Sequence, residues 1–298
     1  MASTHRLSRQ HLVYSLDKTH PPALEIAPGD TVVLETYDAR TGTIQRDEDL
    51  LDHPHPKGSN PATGPILVRG AEPGDALCVE IQQIELAPRG FLGVKAGMGL
   101  LGELAGDFAT RIVPIEGDQA RFGERLRFPI RPMVGVIGTA PAGEGVSTGF
   151  PGPHGGNMDN RYVAPGSRVY LPVNVPGALL GIGDVHGAMG DGEITYIGLE
   201  ICAEVSARVE LLKGKTLRRP LVETAEYWIT TGDHPDTAQA LRVAAEEMVR
   251  WMQERMQLSF AEAYMLMSAV VDVQICQCCG PGEFPVTTRA MISKALIP

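Results

Sequence analysis

From residue 150 to residue 193 the chain reads FPGPHGGNMDNRYVAPGSRVYLPVNVPGALLGIGDVHGAMGDGE, and three of its segments set polar, metal-competent side chains among glycines. HGGNMD carries His154, Asn157 and Asp159; GDVH carries Asp184 and His186; GDGE carries Asp191 and Glu193. Carboxylate oxygens together with imidazole nitrogen suit zinc or a similar divalent ion. In an extended segment side chains alternate with period two, so Asp184 and His186 face the same way and can offer an oxygen and a nitrogen to one ion. The surrounding glycines allow the backbone to turn sharply and approach closely. Taken singly, each piece also reads as a Gly/Asp turn of a β protein with a hydrogen-bonded histidine. Three of them in one stretch point to a site.

The elements that must hold such a site read mostly as strands. RVYLPVNV, between the polar segments, is apolar and β-branched, and Pro172 inside it suggests an edge strand or a bulge. Pro-Gly-Asp or Pro-Gly-Ser followed by a β-branched run occurs three times, at 28–30, 73–75 and 165–167, and predicts a turn feeding a strand each time. RPMVGVIGTAP reads as a buried strand leading towards HGGNMD, and EITYIGLEICAEVSARVELLK reads as paired strands. Past residue 228 the character changes: PDTAQALRVAAEEMVRWMQERMQ and LSFAEAYMLMSAVVDVQI have helical periodicity. Each opens on a capping signal, Asp236 or Thr237 in the first and Ser259 with Glu262 in the second. The expected architecture is α+β and predominantly β: a sandwich- or barrel-like β core over 1–228, with a helical C-terminal segment, 229–298, packed on it. Residues 40–65 form the longest loop-like tract, of the kind that is functional or mobile inside a compact domain. Its His53 and His55 read equally as a ligand pair and as part of an exposed loop.

A chain of 298 residues with 43% hydrophobic and 21% charged residues can bury a sizeable core, and its 34 Gly and 23 Pro favour a turn-rich β protein over helices. The net charge of −10 argues against binding nucleic acid or an anionic membrane surface. No apolar run is long enough to span a bilayer, no secretory signal is visible, and an odd count of 5 cysteines suggests free thiols in a reducing, cytoplasmic setting.

HGGNMD, then a strand ending in LPVNVPGALLGIGDVHGAMGDGE, resembles the acetamidase/formamidase family of metal-dependent amide hydrolases. GPILVRGAEPGDAL, the RPMVGVIG segment that precedes HGGNMD, and LSFAEAYMLMS extend the resemblance over most of the chain. It implies hydrolysis of a short linear amide, formamide- or acetamide-like, to carboxylate and ammonia by a metal-activated water. Zinc is the expected ion and calcium the alternative, with the protein a homodimer or higher homo-oligomer. The family has an acid after its first long strand, which makes Asp38 a ligand alongside Asp159, Asp184 and His186; by its residue type alone Asp38 could equally cap the following loop. Glu193 is then the expected general base, since a carboxylate beside an activated water can accept its proton, with Asp191 or His154 as substitutes. His154 could otherwise donate to the leaving ammonia or orient Asp159, and Asn157 could polarise the carbonyl or bind the substrate amide.

Other chemistries are weaker. Cys276, Cys278 and Cys279 form a tight CQCC run, but no second CxxC accompanies it, and the expectation is core or exposed thiols. Cys202 would be the nucleophile of a nitrilase-like cysteine amidase, yet it sits in an apolar alternation without a strained elbow. A non-catalytic, metal-stabilised β module is the remaining alternative.

Overall fold

The computed structural model describes residues 2–51, 58–280, 282 and 284–297; His53 and His55 lie outside the described residues. All three Pro-Gly turns feed strands of one sheet, Thr31–Thr36, Ala76–Leu86 and Arg168–Pro172. The same local chemistry closes each turn. Asp30 Oδ2 accepts from the Ala27 amide at 3.0 Å, Asp75 Oδ2 from Glu72 at 2.9 Å and Ser167 Oγ from Ala164 at 3.1 Å. A short polar side chain thus satisfies the amide that the turn leaves without a backbone partner.

These strands belong to a nine-stranded sheet in the order Thr4–Leu7, Thr31–Thr36, Ala203–Leu212, Ala76–Leu86, Arg168–Pro172, Leu221–Glu223, Tyr227–His234, Val286–Ser293, Val271–Gln277. A seven-stranded sheet has Pro151–Gly152, Gly155–Asn157, Met133–Gly138, Leu180–His186, Ala62–Val68 and Leu12–Val13 in sequence, with Leu24–Ile26 pairing Ala62–Val68 in parallel. One apolar cluster takes Leu34, Leu77, Val79, Ile81 and Val205 from the first sheet and Ile66, Val134, Ile137, Leu180 and Val185 from the second. The two sheets therefore face each other across a shared core, the expected sandwich.

Arg168–Pro172 is not an edge strand. It pairs with Ala76–Leu86 on one side and Leu221–Glu223 on the other. Pro172, its last residue, ends the strand where the ladder no longer needs a donor. Nor is 193–213 a strand pair: the one strand there is Ala203–Leu212, and residues 190–198 are taken up by the loop that carries Glu193.

Both predicted helices form, α1 over Thr237–Met256 and α2 over Phe260–Val270. Asp236 caps α1 by accepting from the Gln239 amide, and Ser259 and Glu262 make the reciprocal capping box of α2. Ala240, Ala244, Met248 and Met252 recur every fourth residue, and α1 lays this stripe on the 227–234 and 286–293 strands. The two methionines are fully buried, each worth roughly 1.5–3 kcal/mol relative to exposure. The second helical pattern ends earlier than expected. From Val271 the alternation VDVQICQ is β-branched with period two, and it forms the last strand of the nine-stranded sheet. The 229–298 segment thus carries sheet as well as helix. Among the described residues no helix is long and apolar enough to cross a membrane.

Candidate active site

The polar segments converge at the His186 end of the 180–186 strand. This strand pairs antiparallel with Met133–Gly138, Met133 opposite His186, and the latter pairs with Gly155–Asn157, Val136 opposite Asn157. Asp159 follows the one strand and Asp184 lies within the other, so the sheet brings both acids beside the imidazole. His186 Nδ1 is 4.0 Å from Asp159 Oδ1, and Nε2 is 3.8 Å from Asp184 Oδ1, 3.8 Å from Glu193 Oε1 and 3.0 Å from Glu200 Oε1. All five side chains are buried. Two overlapping triads have ligand atoms within 4.8 Å of one another: Asp159, His186, Glu193 and Asp184, His186, Glu200.

Three of the four acids stand on left-handed backbone, with φ +43° at Asp159, +52° at Asp184 and +44° at Glu193. Such a conformation costs a non-glycine residue about 1–3 kcal/mol and persists where the surroundings force it, commonly at functional sites. Asp184 therefore reaches His186 through a local break in strand geometry, beyond what regular alternation supplies. Glycines make room for this. A Cβ on Gly135 would come 2.5 Å from Asp159 Oδ1 and 2.8 Å from the Asp184 carbonyl, and one on Gly198 would meet His186 Nδ1 at 2.6 Å.

Burial governs the electrostatics. It raises Asp159 to about 6, helped by Glu200 and opposed by His186. It also raises Asp184 and Glu193 well above the usual carboxylate range, with neighbouring acids adding to the effect. For His186 burial works the other way, but Glu200, Asp184 and Glu193 outweigh it and hold the imidazole well above its usual value. Two carboxylates at this spacing repel by roughly 3–4 kcal/mol at an effective dielectric constant of about 20. One imidazolium cannot balance four such charges, so the set favours either protons or a cation. Buried atoms without a hydrogen-bond partner point the same way: Asp159 Oδ1, Asp184 Oδ1 and His186 Nδ1. Unsatisfied donors and acceptors of this kind are rare in a folded interior. Together with an oxygen-rich donor set and one imidazole, they fit a divalent ion.

Two contributors escaped the sequence reading. Glu200 sits at an isolated bridge opposite His186 and Phe91, and its Oε2 accepts from the Ala39 amide at 3.2 Å. In IGLEIC it alternates with Leu199 and Ile201, both buried, so it reads as a solvent-facing strand residue; a lone carboxylate two residues after a glycine in an apolar run was the available signal. Asn60, at the end of the 40–65 tract, donates to Asp184 Oδ2 at 2.8 Å.

Of the expected residues, Asp159, Asp184, His186 and Glu193 are brought together. Asn157 joins Asp159, Glu193 and Glu200 in lining a cavity of about 30 Å³, with Asn60, Tyr196, Gln277 and Cys279, and its Oδ1 is buried and unpartnered. Asp38 lies beside the cluster, outside both triads. Its Oδ1 accepts from the Arg40 and Gly42 amides at 2.9 and 3.0 Å, Cys202 donates to Oδ2 at 3.5 Å, and burial raises its pKa. His154 does not line the cavity. Its ring packs on Gly152 and Gly156, burial lowers it to about 4, and the charges it feels are those of Asp233 and Arg219. Asp191 faces away too, in a two-point pair with Arg289. Of the CQCC thiols, Cys276 and Cys279 are buried and Cys278 is half-buried, all free. Cys279 donates to Gln277 Oε1 at 3.0 Å at the cavity wall.

The profile of the Acetamidase/Formamidase family matches residues 7–148 and 142–282. A solved acetamidase from Bacillus halodurans is 39% identical with a TM-score of 0.93, covering 97% of each chain. A predicted acetamidase/formamidase from Thermoanaerobacter tengcongensis is 38% identical with a TM-score of 0.95, covering 99% of this chain and 97% of that one. A putative formamidase of Schizosaccharomyces pombe is 32% identical over 255 residues, 65% of this chain. The chain spans 62–64% of the length of the curated relatives it matches.

Proposed function

Since this chain belongs to the acetamidase/formamidase family, we propose that it hydrolyses a short linear amide to a carboxylate and ammonia at the His186 cluster. The observation that carries the reading is the buried cluster of Asp159, Asp184, His186, Glu193 and Glu200, whose Asp159, Glu193 and Glu200 line a cavity of about 30 Å³. One water needs roughly 10–15 Å³ of such space, so the cavity suits a substrate of a few heavy atoms.

Asp184, His186 and Glu200, with Asp159, are the residues that would hold a divalent ion, with zinc favoured by the imidazole among the carboxylates. That ion supplies Lewis acidity towards the amide carbonyl and towards water. Glu193 accepts the proton of the attacking water and returns it to the departing nitrogen. Its raised pKa suits both roles, because a base that must become an acid works best near the operating pH. Asn157 Oδ1 accepts an N–H of the substrate amide, which gives this buried oxygen the partner it otherwise lacks. Asp38 stands behind the cluster, holding the turn at Arg40 and Gly42.

Ammonia release from formamide and acetamide, measured with bound metal on the same preparation, tests the reading. Glu193→Gln is expected to lose about 10²–10⁴-fold in kcat while keeping its metal. Loss of metal would make Glu193 a ligand, and wild-type turnover would remove it from the mechanism.

A further inference from the structure

Arg289 is fully buried in the Val286–Ser293 strand. Its Nη1 and Nη2 donate to Asp191 Oδ1 and Oδ2 at 2.8 and 2.5 Å, its Nε and Nη2 to Gln274 Oε1 at 3.1 and 2.5 Å, and its guanidinium carbon lies 5.0 Å from the Tyr162 ring centroid. Arg161 reaches Asp191 Oδ2 at 3.2 Å from the exposed side. Withdrawing a guanidinium from water costs several kcal/mol, and a buried ion pair adds little net stability. What such a pair supplies is fixed geometry, because two parallel hydrogen bonds define the carboxylate's plane and position.

The geometry fixed here is that of Glu193. Asp191 precedes it by two residues. Between them, Gly192 donates to the Cys276 carbonyl at 2.8 Å and accepts from the Cys278 amide at 2.9 Å. The Asp191–Gly192 step is thereby fastened by its side chain to one strand and by its backbone to the next. Glu193 then leaves this anchored step on left-handed backbone, with its carboxylate 3.8 Å from His186 Nε2. We infer that Arg289 and Asp191 form a clamp that positions the Glu193 carboxylate against His186 and Asp159, neither of them touching substrate. With both oxygens held, Asp191 is not available as a base. The inference rests on the proposed base role of Glu193, and it deepens that role.

Asp191→Asn keeps the size of the side chain but replaces one of the two acceptor oxygens by a donor; Arg289→Lys keeps the charge and removes the fork. Each is measured for kcat and KM on formamide, for metal content and for melting temperature, alone and combined with Glu193→Gln. The expected result is a kcat roughly 10–100-fold lower in each single variant, the range seen when groups that orient active-site residues are removed, with KM changed less than about threefold. In the Glu193→Gln background the same substitutions should cost less than about twofold more, since the group they position is already disabled. A merely structural role would lower kcat by the same factor in both backgrounds, and that result overturns the clamp. Wild-type kcat in Asp191→Asn and Arg289→Lys beside a slow Glu193→Gln enzyme overturns it alone. Wild-type kcat in Glu193→Gln overturns the base assignment and the clamp together.

Discussion

Glu200 Oε1 stands 3.0 Å from His186 Nε2, the shortest of the four acid–imidazole approaches in the cluster. Its other oxygen is held by the Ala39 amide, so the carboxylate cannot turn away. If Glu200 belongs to the cation site, Glu200→Gln should keep the fold and weaken divalent-ion affinity by at least tenfold, since ligands contribute no less than the groups behind them. Titration of the ion by calorimetry, with circular dichroism as the fold control, measures this. Unchanged affinity would leave Asp159, Asp184 and His186 as the ion's holders and Glu200 as a partner of the imidazole alone.

How far the sequence carried this site depended on chain separation. Asp184 and His186 announce themselves because a two-residue spacing is a local property. The capping box at Ser259 and Glu262 and the stripe on α1 were legible for the same reason. Glu200 was not, because its meeting with His186 is made by a bridge between segments that only the folded sheet brings together. His154 misled for the converse reason: its segment carries Asn157 and Asp159 to the site, yet the tight turn before Gly155 leaves the imidazole facing Asp233 and Arg219. The VDVQICQ strand was masked by the helical run before it, and the anchoring of Gly192 on that strand was hidden with it.

Removing divalent ions with a chelator should make stability fall as pH rises. The folded-state pKa of Asp159 is raised from 3.8 to about 6, so between those values the folded protein holds a proton that the unfolded chain has released. Folding then binds more protons, and stability decreases with pH through the window. The raised Asp184 and Glu193 extend the loss to higher pH, and the raised His186 acts with the same sign, being favoured in the folded state while protonated. Asp159 alone contributes on the order of 3 kcal/mol across its window. Urea midpoints at pH 4.5 and pH 7 should show the metal-free protein weaker at the higher pH. Asp159→Asn should flatten the difference, and an added divalent ion should reverse it. His154, lowered to about 4, contributes with the opposite sign over part of this range, so the deciding comparison is with the variant: an unchanged pH dependence in Asp159→Asn would mean that this acid is not protonated as its surroundings require.

Gly135 offers a test of how tightly the acids are set. Its φ is not in the left-handed region, so alanine brings no backbone strain, only a methyl aimed at Asp159 Oδ1 and the Asp184 carbonyl. Overpacking of this kind costs typically about 1–3 kcal/mol. Gly135→Ala should lower both stability and metal content, whereas Gly143→Ala, where a Cβ meets nothing within 4 Å, should change neither. Full metal content in Gly135→Ala would show that the two acids can shift without losing the ion.

The cysteine alternative makes the opposite forecast from the carboxylate reading. A thiol attacks as thiolate, and enzymes that use one lower its pKa with a nearby cation or a helix N-terminus. Cys202 has neither. Burial raises it to about 11, the Asp38 carboxylate beside it adds to the rise, and its Sγ is spent donating to Asp38 Oδ2. At pH 7 such a group is thiolate in roughly one molecule in ten thousand. Cys279 does line the cavity, but burial and the neighbouring Glu193 push it higher still. Cys202→Ala and Cys279→Ala should therefore each keep kcat on formamide within about threefold of wild type, the scale of a small packing change near a site. Cys202→Ala should cost a little stability through its lost contact with Asp38. A thousandfold loss in either variant, with metal content and melting temperature intact, would transfer the chemistry from the His186 cluster to that thiol. Acyl-enzyme trapping with a slow amide, followed by mass measurement of the intact protein, would then locate the bond on sulfur.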